Sequence, residues 1–350
     1  MEVKALKFGG LTAKRPIVQG GMGVGVSLSS LAGNVAKCGG VGTISGVHPG
    51  YREADFKENP FRANLRAIGN ELEKAKKIAN GGIIGFNFMT VMNHYEEYVK
   101  EAIAAGADFI VSGAGLPANL AKYAAGTRAA ILPIVSSARA LKLIVKQWQR
   151  ADRLPDAVVV EGPLAGGHLG YPYGHLVDGT FDTLEDSLVD VVDYVRELEE
   201  KNGVKIPVIA GGGVRNHADM ERLMALGASG VQVGTKFVAT EECDAAPAFK
   251  QAYLRSRKED VQLIESPVGL AARAIRNSFL EKVEKQGRIP VQRCYQCMNH
   301  CKQAETKYCI SQALIDAVQG REGLVFCGAN AYEIEKLSTV EKVMQELCGE

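Results

Sequence analysis

Eight short runs of apolar and β-branched residues punctuate the chain, at 16–19, 40–45, 83–88, 109–112, 131–136, 157–161, 207–211 and 230–234. Each is close to continuously apolar, the mark of a strand covered on both faces. Between them the pattern switches to a helical period. One helix is predicted over 28–38, opening after Ser27; others over 94–106 and 217–227 stop at Gly106 and Gly227. Over 184–203, Leu188, Val191, Val192 and Val195 share one face and Gly203 ends the run. Strand–helix alternation of this kind predicts an α/β protein, with a parallel sheet closed into a (β/α)8 TIM barrel rather than left open and doubly wound. The barrel is assigned to residues 1–280. Residues 281–350 form a mostly helical, cysteine-rich appendage, with helices predicted at 313–320 and 338–349.

In such barrels the site lies at the C-terminal ends of the strands, so the chain after each strand is an inventory of the pocket. It reads "GGMG" (20–23), "GVHPGY" (46–51), Asn87, "GAGLP" (113–117), "SSAR" (136–139), "EGPLAGGHLGYPYGH" (161–175), "GGV" (212–214) and "GTKF" (234–237). Glycine at so many strand ends points to backbone approaching a ligand closely. Bare amides at 212–214 and 234–237, with the Thr235 hydroxyl, suit a phosphate. No Walker lysine–serine follows these glycines, and "GGMGVG" lacks the spacing of a dinucleotide-binding fingerprint. His168 sits in the glycine loop after the sixth strand; imidazole titrates near working pH and can move a proton either way. His175, beside Tyr171 and Tyr173, reads as structural, and His48 is left open.

Charge narrows the partners. With 41 basic and 40 acidic residues the formal charge is +1, which points away from nucleic acid and membrane surfaces. The opening "MEVKALKFGG" has no apolar core of an export signal and no apolar run reaches a membrane span, so the expected location is the cytoplasm. Arg52, Lys57, Arg62 and Arg66 lie within 48–67; they read as a solvated helix face, with a basic landing patch for an acidic partner as the alternative.

The segments "PIVQGGMG", "GFNFMT", "VSGAGLP", "EGPLAGGHLG", "PVIAGGGV" and "VQVGTKFV", in this order, resemble the family of nitronate monooxygenase (formerly 2-nitropropane dioxygenase) and enoyl-acyl carrier protein reductase II. The resemblance spans about 5–285 and implies an FMN-binding barrel. It implies that Gly21 and Met22 meet the flavin ring through the backbone, that Asn87 bonds its polar edge, and that Glu161, Gly166 and Gly167 line the ring and ribityl chain. Gly212, Gly213, Gly234 and Thr235 would hold the phosphate with Gln232 beside them, and His168 would stand over the flavin as catalytic acid or base. The implied substrate is small: a nitronate oxidised through FMN and oxygen, or an enoyl thioester reduced with NAD(P)H. Lys236, Lys122 and Arg139 are candidates to balance the charge of reduced flavin. A homodimer is left open.

The cysteines depart from that family. Cys38 and Cys243 read as core residues. Cys294, Cys297, Cys301 and Cys309 are spaced C-x2-C-x3-C-x7-C. This resembles the cluster-binding segment after the barrel in iron–sulfur members of the old yellow enzyme group, and thiolates so spaced can wrap one [4Fe–4S] cube. A four-thiolate zinc site and free or redox-active thiols are the alternatives, and Cys327 competes with Cys309 as fourth ligand. His300, inside the motif, is read as incidental.

Overall fold

The computed structural model describes residues 4–299 and 301–350. Eight parallel strands close on themselves: Ile17–Gln19, Val41–Ser45, Ile83–Met89, Phe109–Gly113, Ala130–Val135, Val158–Glu161, Val208–Gly211 and Gly230–Val233. The last pairs back to the first, Val231 beside Ile17 and Gln232 beside Val18. Every apolar run in the sequence is thus a barrel strand, and the sheet is closed.

Alternation along the strands sorts side chains between two environments. Val158, Val160, Val208, Ala210 and Ile110 point outward into the apolar layer under the helices. Val159, Ile209, Phe109 and Val111 point inward and pack with Leu6, Phe8 and Ala13. Those three belong to an antiparallel hairpin, Leu6–Phe8 with Leu11–Ala13, which plugs the lower end of the barrel. Two or more residues further along the strands, the inward positions turn polar: Ser45, Asn87, Glu161 and Gln232. The apolar plug fills the lower barrel, and the upper layer is left to chemistry.

Helix boundaries follow their caps. Leu184–Asn202 opens on a capping box between Thr183 and Asp186 and ends on Gly203. The first barrel helix spans Ser29–Lys37, two residues beyond Ser27. Ser27 instead accepts the Met22 N–H at 2.9 Å, and the helix's free amides at Leu28, Ser30 and Leu31 are satisfied by the distant Asp244 carboxylate. The helix face read over 48–67 is a helix only from Pro60, and its run on to Ala79 was not foreseen; it starts on proline, with the Asn59 side chain accepting the Arg62 N–H.

A second unforeseen element matters more for the site. A hairpin, Val261–Glu265 with Ala271–Ile275, follows the barrel. Its second strand pairs with Gly167–His168, Ala272 opposite His168. Beyond it come helices Ser278–Gln286, Ile310–Val318 and Val340–Cys348. The last contacts the first barrel helix, and Val340, Val343, Met344 and Leu347 join the apolar layer that holds Leu31 and Val35. No described helix is long and apolar enough to cross a membrane.

Candidate active site

The upper strand ends enclose a cavity of about 480 Å³, a volume typical of cofactor sites. Gly21, Met22, Asn87, Glu161, Gly166, Gly167, His168, Gly212, Gly213, Gln232, Gly234 and Thr235 all line it. The glycines reflect lack of room. A Cβ on Gly21 would lie 2.3 Å from the Asn87 Cβ. Gly212 and Gly213 have φ of +102° and +88°, a region that side chains disfavour. Met22 spends its backbone polar groups locally, donating its N–H to Ser27 Oγ at 2.9 Å and accepting the Ser27 N–H at 3.0 Å.

His168 is held from behind. Its backbone is a strand of the hairpin sheet, its Nε2 lies 2.8 Å from Ser266 Oγ, and its ring meets Phe326 edge-on at 5.0 Å. The Arg273 guanidinium donates to the Ala165 carbonyl, fixing the loop one turn earlier. Burial pushes the imidazole down to about 4, so it is neutral at pH 7. The same cause acts oppositely on Glu161, whose carboxyl burial pushes up to about 7. One cavity therefore holds a neutral imidazole and a carboxyl that keeps its proton up to neutrality, a pairing characteristic of sites that move protons. Gln232 Oε1 is buried and has no partner among the described residues, an acceptor that a ligand's donor can satisfy.

Comparison with known proteins agrees with this architecture. The sequence model of the family described as nitronate monooxygenase matches residues 4–350. The chain belongs to the nitronate monooxygenase family. It is an oxidoreductase. It is similar to a "Probable nitronate monooxygenase" of Staphylococcus saprophyticus, 26% identical over 306 residues, covering 81% of this chain and 82% of the relative. A relative of the same description from Staphylococcus haemolyticus is 35% identical over 136 residues, 39% of this chain and 36% of its own. Among solved structures it resembles FabK from Thermotoga maritima (TM-score 0.72, 24% identity, 96% of this chain, 92% of that one). It also resembles nitroalkane oxidase from Streptomyces ansochromogenes (TM-score 0.67, 21% identity, 96% and 95%). The family match runs to residue 350, past the 5–285 that carried the resemblance in the sequence.

The wall contributed from beyond 285 explains that extension. Phe326, Cys327, Gly328, Ala329 and Asn330 line the cavity. The Gly328 N–H donates to Thr235 Oγ1 at 3.2 Å, across 93 positions of sequence, and the Ala329 N–H to the Leu164 carbonyl at 3.1 Å. "FCGAN" is one more glycine turn, but it follows no barrel strand, so an inventory of strand ends passes it by. Arg215 also lines the cavity, with Nε 2.9 Å from Asp219. Of the three other cations considered, only Lys236 lines it, with Nζ 2.6 Å from Glu346; Lys122 and Arg139 lie outside.

His175 is exposed on the helix Tyr173–Asp178, away from the cavity. His48 is buried, 2.8 Å from Ser311 Oγ and 3.3 Å from Asn64 Nδ2, and ties the loop after the second strand to the appendage. Arg66 pairs with Asp55 and Glu53 and Arg52 donates to the Asp244 carbonyl, so half of the basic run is committed within the chain. Cys294, Cys297, Cys301 and Cys309 line a second cavity of about 250 Å³. Cys327 is buried on the first cavity instead, which separates it from the other candidate ligands. His300 lies outside the described residues.

Proposed function

We propose that the chain is an FMN-dependent oxidoreductase acting on a nitronate, with His168 handling the proton beside the flavin. The observation that carries this is a neutral imidazole, anchored by Ser266, on the wall of a glycine-lined cavity whose buried acceptor Gln232 Oε1 lacks a donor. FMN fits these residues. Gly21, Gly166 and Gly167 would leave backbone bare for the ring, Asn87, Glu161 and Gln232 would hold its polar edge and ribityl chain, and Gly212, Gly213, Gly234 and Thr235 would hold the phosphate. When bound, FMN supplies a two-electron sink for carbon chemistry.

The chain's own residues do the rest. The Ser266 hydroxyl both donates and accepts, so it holds Nε2 in either protonation state and leaves Nδ1 to the substrate. His168 can therefore receive or return a proton at Nδ1 without losing its position. Phe326 covers one ring edge and limits water there. A Glu161 carboxyl that stays protonated below about 7 adds no negative charge to a site that must admit an anionic nitronate.

A second reading, reduction of an enoyl thioester with NAD(P)H as hydride donor, is favoured by one observation. The cavity extends to Phe249, Tyr253 and Leu314, an apolar wall suited to an acyl chain delivered by a carrier protein. Two assays on one preparation separate the readings: propyl nitronate with oxygen, and crotonyl thioester with NADH or NADPH. His168→Ala is expected to bind FMN as the parent does and to lose about 10²–10⁴ in turnover with the true substrate. Unchanged turnover would remove His168 from the reaction.

A further inference from the structure

We propose that Cys294, Cys297, Cys301 and Cys309 bind a [4Fe–4S] cluster in the second cavity. All four are unpaired thiols and all four face one space of about 250 Å³, although among the described residues of the 16 positions they span there is neither helix nor strand, only an isolated bridge at Met298. Such a segment has little backbone pairing beyond the bridge of Met298 to Met92 and needs something more to hold it. Its ends are pinned by aromatic contacts: Tyr295 stacks on Phe56 at 5.4 Å and Tyr308 meets Phe279 edge-on at 5.1 Å. The Asn93 backbone N–H donates to the Cys297 carbonyl at 3.1 Å and its side chain to the Gln296 carbonyl at 2.7 Å. The middle is left to the thiols, with Pro267, Val268, Val291 and Ile310 as apolar wall.

The arrangement selects the cofactor class. A single zinc ion needs four sulfurs about 2.3 Å from one point, and among the described residues no three metal-binding side chains converge that way. A cube takes one thiolate on each iron, so its ligands stand around a volume rather than a point. The Gln296 N–H already donates to Cys294 Sγ at 3.3 Å, the type of amide–sulfur bond that tunes a cluster. Binding releases the four thiol protons. The cavity wall at Pro267–Val268 is one peptide from Ser266, which anchors His168. Cluster binding itself does not depend on the flavin reading.

The test is reconstitution of the full chain with ferrous and ferric iron in equal amounts and sulfide, without oxygen. Iron, acid-labile sulfide, zinc and released flavin are measured on the same samples, with electron paramagnetic resonance after dithionite. About four irons and four sulfides per chain are expected, with a cluster signal on reduction. Cys294→Ala, Cys297→Ala and Cys309→Ala should each lose most of the iron, whereas Cys327→Ala keeps it. Alkylation of the parent protein, read by mass spectrometry before and after chelation, covers any variant that fails to fold: these four thiols should be protected only while iron is bound. Zinc without sulfide, no metal after reconstitution, or iron retained in the three variants overturns the proposal. Iron present with no flavin overturns only the FMN reading.

Discussion

Gln232→Met tests the cavity where apo stability and ligand binding should move in opposite directions. Gln232 lies in the eighth barrel strand between buried Val231 and Val233, and its Oε1 is buried without a donor. An unsatisfied buried acceptor costs about 1–3 kcal/mol. Methionine keeps the length and removes the acceptor, so the flavin-free protein should gain up to about that amount. The same change deletes the bond a ligand donor would make, so FMN affinity should fall by a similar energy, about 5- to 140-fold in Kd. Urea unfolding of the stripped protein gives the first quantity, and quenching of FMN fluorescence on titration gives the second. An apoprotein no more stable than the parent, with FMN bound equally well, would refute the reasoning, because Oε1 would then face neither a penalty nor a ligand.

Other substitutions probe the walls and the protons. A Cβ on Gly166 would lie 2.7 Å from the backbone of Cys327 and Gly328, where no side chain can rotate away. Gly166→Ala should cost about 1–3 kcal/mol in unfolding free energy and weaken flavin retention; an unchanged Tm would contradict this. Ser266→Ala should lower kcat while leaving FMN affinity intact, with Ser266→Thr restoring part of the loss; equal kcat in all three would show that the anchor is idle. For pH, His168 sits at about 4 in the fold against 6.5 in the free chain. Its stabilising contribution is complete above 6.5 and lost as pH falls toward 4, so His168→Ala should flatten part of the stability curve in that window. His48, also pushed down to about 4, keeps its own share. Glu161 has the opposite sign: raised from 4.5 to about 7, it contributes below 4.5 and loses that contribution as pH rises through 7. Glu161→Gln should remove that decline, so the variant's stability should climb more steeply than the parent's between 4.5 and 7; identical slopes would count against the assignment.

The barrel was legible because its strands are apolar on both faces, so the signal survives without knowing which side chain points inward. The site was legible through glycine, which marks close backbone approach at Gly21, Gly166, Gly212 and Gly213 whatever the ligand. Sequence pattern failed where long-range contacts override local preference. Ala271–Ile275 is rich in alanine and arginine, both good helix formers, yet it is a strand because Ala272 and Arg273 pair with His168 and Gly167. The carboxylate of Asp244 caps a helix 216 residues away at Leu28, which no local cap signal could reveal. Cys309 and Cys327 are equivalent as residue types; only the fold puts one with the other three cysteines and one against the glycine-lined cavity.

The claim on which the functional account rests is that the glycine-bared strand ends grip FMN. Its most direct test is the absorption spectrum of the purified protein, before and after FMN is added and the excess removed by gel filtration. Flavin bands at one FMN per chain that stay with the protein are expected. A colourless protein that leaves all added FMN in the small-molecule fraction would contradict it.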